Sequence, residues 1–98
     1  MSPRKYTPFE MWQRELVSAF HDYRWQQVLE PLYEQFQQWK AGDISHDELN
    51  EALNKSYRDR RDLYNLFYEK VSLLARMIEL STDFYEQWVK AHPKPEED

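Results

Sequence analysis

The sequence has no cysteine, a single glycine and no long apolar run, and each scarcity removes a class of protein. Without cysteine there is no disulfide framework and no thiolate metal site, and the redox compartment leaves no mark. One glycine, Gly42, leaves no material for a glycine-rich phosphate loop and little for the tight turns of strand-rich folds. No segment approaches the ~18 uninterrupted apolar residues that a membrane span requires. The opening MSPRKYTPFE has basic residues but no apolar run behind them, so it does not read as a secretory signal. Residence in the cytoplasm is the default expectation.

What the chain does have is charge and aromatic rings. Its 98 residues suit one domain. A chain this short buries only roughly 60–70% of the surface its unfolded form exposes, so its stability is marginal. The net charge is −5, from 18 acidic and 13 basic residues, which disfavours nucleic acid and anionic membranes as general partners. Aromatic residues make up 16%, with four tryptophans and seven tyrosines, more large amphipathic rings than a small core holds. Such rings suit broad contacts with one polar end left wet.

Two helix starts are marked locally. Thr7-Pro8-Phe9-Glu10 sets a capping threonine before a proline at the first helical position, with Glu10 placed to return the cap bond. Ser45-His46-Asp47-Glu48 is a second capping box, with Ile44 and Leu49 as its hydrophobic staple. Between them, Lys40-Ala41-Gly42-Asp43 reads as a helix C-terminus and the turn of a helical hairpin.

The apolar spacing then predicts long helices. From Leu49 through Leu53, Tyr57, Tyr64, Phe67, Val71, Leu74, Ile78 and Tyr85 to Trp88, one stripe keeps its phase at ~100° per residue. Arg60 sits in that stripe and has to snorkel or pair. Ser81-Thr82-Asp83 offers a second cap, but the unbroken phase favours one helix over about 45–91. Earlier in the chain, Phe9, Trp12, Leu16, Phe20 and Tyr23 share one face, and Trp25, Val28, Leu32, Phe36 and Trp39 share another, about half a turn away. A break near Asp22 reconciles them as helices over about 8–22 and 24–41; the alternative is one long helix, kinked at Pro31. Residues 1–6 are expected to form a short arm, and the proline-rich, acidic 93–98 a disordered tail. The expected fold is thus all-α: an elongated helical hairpin with an extra N-terminal helix.

The stretch LYNLFYEKVSLLARMIEL, residues 63–80, is apolar on two sides. Beside the main stripe, Leu66, Leu73, Met77, Leu80 and Phe84 form a second set roughly 100° around the helix. Left wet, each would forfeit roughly 1.5–3 kcal/mol relative to burial. The expected cover is a second copy of the chain, giving an antiparallel helical-bundle dimer with these five residues at the interface. The alternative is that the first helix folds back over them within one chain.

Catalytic chemistry finds little purchase. None of the three histidines follows a glutamate by three residues, as di-metal bundles need, and no Ser/His/Asp constellation suggests itself. Asp47-Glu48-Leu49-Asn50-Glu51 resembles the acidic run with which all-helical nucleoside-triphosphate pyrophosphatases hold magnesium. That resemblance would imply a second Glu-x-x-Asp element on a facing helix. The nearest counterpart, Asp59-Arg60-Arg61-Asp62, lies on the same helix and is interleaved with arginine. First-turn acids are in any case favoured by the helix dipole. The expectation is therefore a non-enzymatic protein-interaction module without metal or cofactor, whose partner is itself, with a second protein as a further candidate. Arg58, Arg60 and Arg61 form the one basic cluster, and with Tyr64 nearby they make a nucleic-acid accessory role the alternative.

Overall fold

The computed structural model describes residues 5–97; the expectations for 1–4 and for residue 98 lie outside the described residues. Among these residues the chain is all-helical: α1 (Pro8–Lys40), α2 (His46–Leu66), α3 (Val71–Ser81) and α4 (Asp83–Ala91). It divides into two compact units, one built from residues 5–21 and 69–97, the other from 22–68.

The local signals behave as their chemistry dictates. Thr7 Oγ1 accepts from the Glu10 amide at 3.1 Å, while the Glu10 carboxylate accepts from the Thr7 amide at 3.3 Å. Ser45 and Glu48 repeat this reciprocal box at 3.1 and 3.2 Å. At the end of α1, the Asp43 amide donates to the Gln38 carbonyl and the Gly42 amide to that of Trp39, a Schellman closure. Gly42 has φ +85°, the left-handed conformation in which a side chain is strained.

Two expectations about helix boundaries are corrected. There is no break near Asp22: α1 continues through it as a single helix, with Pro31 inside. The shift of apolar face that suggested two helices is instead met by a change of surroundings. Trp12, Leu16 and Phe20 are buried in the first unit, and Leu32, on a different side of the same helix, in the second. Conversely, 45–91 is not one helix. It ends at Leu66, restarts after Lys70, whose ψ is 141°, and restarts again after Thr82, whose hydroxyl accepts from the Tyr85 amide. These breaks let Leu74, Ala75 and Ile78 be buried in the same unit as Trp12, Leu16 and Phe20, which a straight rod would have prevented.

In the 22–68 unit, α1 and α2 form an antiparallel hairpin. The Trp39 indole donates to His46 Nδ1 at 2.7 Å next to the turn. Further along, Pro31 and Leu32 lie beside Ala52 and Ser56, and Arg24 beside Asp62. Its buried side chains are only Leu32, Leu49 and Leu63.

The first unit is better filled, and its tail is not loose. Trp12 packs edge-on to Tyr85, with ring centroids 6.1 Å apart, and against Trp88 at 5.7 Å; Phe20 meets Phe84 at 5.4 Å. The Trp12 indole N–H donates to the His92 carbonyl at 2.8 Å, and the His92 ring stacks on Trp88 at 4.2 Å. Beyond it, the Lys94 ammonium reaches Glu79 at 3.0 Å and Glu97 at 3.1 Å, and lies 5.8 Å from the ring centres of both Phe9 and Trp12. Residues 93–97, expected as a disordered tail, have no regular secondary structure and make these contacts through Lys94. Composition alone missed that two prolines flank a lysine which has both an acidic and an aromatic partner.

These contacts predict two responses. Leu16 is fully buried, so Leu16→Ala should cost roughly 2–5 kcal/mol in thermal or denaturant unfolding. The Lys94 hydrogen bond to Glu79, reinforced by Glu97, outweighs burial and raises its ammonium above the ordinary 10.5. Burial first, and then the Glu79 charge, raises the Tyr85 hydroxyl above 10.0, against the opposing Lys94 charge. Both folded values are raised, so both contributions are intact below these ordinary values and are lost as pH climbs through the folded ones. Melting temperature should hold from neutrality to pH 9 and drop above about 10, with a smaller drop in Lys94→Gln and in Tyr85→Phe.

Candidate interaction surfaces

Two apolar surfaces stay open to solvent, one in each unit. In the first unit, α3 buries Leu74, Ala75 and Ile78 on its inner side and turns Leu73, Met77 and Leu80 outward. These three are 56%, 37% and 72% exposed and fall within about 60° of one another around the helix. A helix with one apolar side shelters that side and shows charge on the other; α3 has a second apolar row instead.

The five residues expected to share one face are therefore divided. Leu73, Met77 and Leu80 form the exposed row. Phe84, beyond the Thr82 break, packs against Phe20 and is half-buried. Leu66 is half-buried at the end of α2, in the other unit, lining a groove with Arg24, Gln27 and Leu63. The break over 67–70 is what separates them, because residues placed one above another on a continuous helix lose that register when the helix stops.

The second surface belongs to the hairpin and was not anticipated. On α1, Leu29, Tyr33 and Phe36 are exposed, spaced i, i+4, i+7. On α2, Tyr57 and Tyr64 are exposed in the same way, and Tyr68 just beyond the helix joins them. The side facing the other way lacks exposed aromatic rings: Gln27, Gln35, Lys55 and Asp59 line its groove with Val28 and Pro31, whereas Asp22, Gln26 and Glu30 edge the side of Leu29 and Tyr33. Helix geometry sorts the two. Proceeding around α1 from Pro31 through Leu32 leads to Leu29, and proceeding around α2 from Asp59 through Leu63 leads to Tyr64. In an antiparallel pair these rotations end on one side, so the hairpin has a polar side and an aromatic one. The i, i+4, i+7 spacing of Leu29, Tyr33 and Phe36 is the signal in the sequence; Phe36, expected to share the face of Leu32, is exposed with Leu29 and Tyr33 instead.

The polar candidates are drawn into local bonds. Arg60 turns back on its own helix, its Nε donating to Ser56 Oγ at 3.2 Å and its Nη2 to the Leu53 carbonyl at 3.3 Å. Arg61 pairs with Asp62 at 3.6 Å. Arg58 is exposed and lies on the Arg61 side of α2, about 160° away from Arg60, so three residues adjacent in sequence do not make one patch. In the acidic run, Glu48 closes the capping box and Glu51 pairs with Lys55 at 3.3 Å. Among the described residues, no three His, Cys, Asp or Glu side chains are placed to hold a metal ion, and no helix is long and apolar enough to cross a membrane. His46 and His92 have structural contacts with Trp39 and Trp88.

No protein-family model, no curated protein and no solved structure matches the chain. Its surfaces alone carry the functional argument.

The dispersal of the arginines predicts that in a gel shift at low salt the protein will not retard single-stranded or duplex nucleic acid. A salt-sensitive shift, lost in the Arg58→Ala/Arg60→Ala/Arg61→Ala variant, would instead establish a nucleic-acid interface.

Proposed function

We propose that this chain is a non-enzymatic helical protein–protein interaction module, an adaptor, small regulatory subunit or scaffold, that acts in the cytoplasm as a homo-oligomer. The observation that carries the reading is the outward row Leu73, Met77 and Leu80 on a helix whose inner side is already buried. Exposed large apolar side chains scattered singly need no explanation, whereas three in register on an 11-residue helix make a patch. A second copy of the chain is the commonest cover for such a patch, joined about a two-fold axis so that each row meets its equivalent. The helices of two copies would then assemble as an antiparallel bundle.

The magnitudes bound what this row can do. Each of the three side chains is about half exposed, so its burial contributes on the order of 1 kcal/mol, or roughly 6 kcal/mol over two copies. Association itself costs an estimated 4–15 kcal/mol in lost rigid-body freedom. The α3 row is thus enough to bias association and too small to secure it alone.

Light scattering on the size-fractionated protein at micromolar concentration should give a mass at least twice the 12.2 kDa of one chain. Leu73→Glu combined with Met77→Glu should return it to a single chain while circular dichroism shows the helices retained. A monomeric parent protein would overturn the reading, and an unchanged mass in the double variant would remove α3 from the interface.

A further inference from the structure

We infer that the aromatic side of the 22–68 hairpin is packed against the same side of a second copy, the two hairpins closing a four-helix bundle. The inference rests on the proposed self-association and names a surface for it that the α3 row does not include.

The first argument is one of layers. An amphipathic helix pair stabilises itself by burying apolar stripes between two packed layers of structure, and this unit has one. Only Leu32, Leu49 and Leu63 are buried in it, while Leu29, Tyr33, Phe36, Tyr57, Tyr64 and Tyr68 are between 42% and 72% exposed. A second antiparallel hairpin is the smallest addition that completes the layer, and packed four-helix assemblies are built in this way.

The second argument is area. Side chains of this size bury roughly 150–250 Å² each when fully covered, so six about half exposed hold on the order of 700 Å². A specific interface of standard size takes about 800 Å² from each partner. The hairpin side therefore reaches that range with little help from its rim.

The third argument selects a second copy over an unrelated partner. A two-fold contact sets a surface against itself, so any row of like charge on it is penalised. Asp22 and Glu30 stand beside Leu29 and Tyr33 towards one end of this side, while Arg60, which would cross it, is bonded back to Ser56 and the Leu53 carbonyl. Its polar atoms include four tyrosine hydroxyls, each both donor and acceptor and hence able to pair with its own kind. Tyr64 and Tyr68 do so within one chain, their oxygens 2.7 Å apart, and the Tyr33 hydroxyl accepts from the Gln37 amide at 3.0 Å.

The test uses the full chain. Leu29→Glu with Tyr64→Glu should weaken self-association at least about 100-fold, measured by sedimentation across a dilution series, with helicity kept. Lys55→Glu, on the polar side, should leave it unchanged. Because the acidic variant could unfold the hairpin, the absence of native cysteine provides a second measurement. Tyr33→Cys should give a covalent dimer with a short bismaleimide, and Lys55→Cys should not. Unaltered association in Leu29→Glu/Tyr64→Glu, or cross-linking through Lys55→Cys in place of Tyr33→Cys, overturns the hairpin interface. If Leu73→Glu/Met77→Glu still dissociates the protein in that case, the functional reading survives without it. A parent protein that is monomeric throughout the dilution series ends both.

Discussion

Two packed helices can shelter one stripe of each partner and no more, and most of what is unusual in this chain descends from that limit. In the 22–68 unit the shelter extends to three leucines, Leu32, Leu49 and Leu63. In the unit of 5–21 and 69–97, three helical segments share the work, and Trp12, Leu16, Phe20, Leu74, Ala75 and Ile78 are all buried. The same composition thus produces a filled core where a third segment is present and a thin one where it is not. Apolar side chains beyond the thin core's reach have no inner surface left to occupy.

Much of the architecture was legible because it is written in local chemistry. A capping box needs only residues within a span of four, so Thr7 with Glu10 and Ser45 with Glu48 could be read directly, as could the hairpin turn from Lys40 and Gly42. The breaks in the second half had no such mark. Phe67, Tyr68, Glu69 and Lys70 include neither glycine nor proline, and the apolar stripe crosses them in phase. With the helix ended there, Leu74 and Ile78 are buried in the same unit as distant Leu16, a long-range gain that periodicity does not contain. The tail's composition reads as disorder, and composition does not register that its one lysine has Glu79, Phe9 and Trp12 within reach.

The candidate surface was legible in kind more than in place. Of the five residues expected to share one side of 63–84, Leu73, Met77 and Leu80 stay together on one helix and are exposed, while the breaks carry Leu66 and Phe84 elsewhere. The aromatic side of the hairpin was overlooked because a helix whose stripe already faces a partner looks satisfied. Leu29 and Tyr33 flank that stripe on the side to which Phe36 also turns.

The choice of residues on that side has its own logic. A permanently buried interface tends towards leucine and isoleucine, which would aggregate if the chain were ever alone. Tyrosine supplies a ring comparable in area together with a hydroxyl that water or a neighbouring tyrosine can satisfy. Four of the seven tyrosines, Tyr33, Tyr57, Tyr64 and Tyr68, lie on the hairpin's aromatic side, whereas the row on α3 is leucine and methionine. The hairpin is therefore suited to a contact that forms and releases with concentration, wet when single and dry when paired. The small α3 row adds apolar burial that its area alone could not turn into a stable assembly.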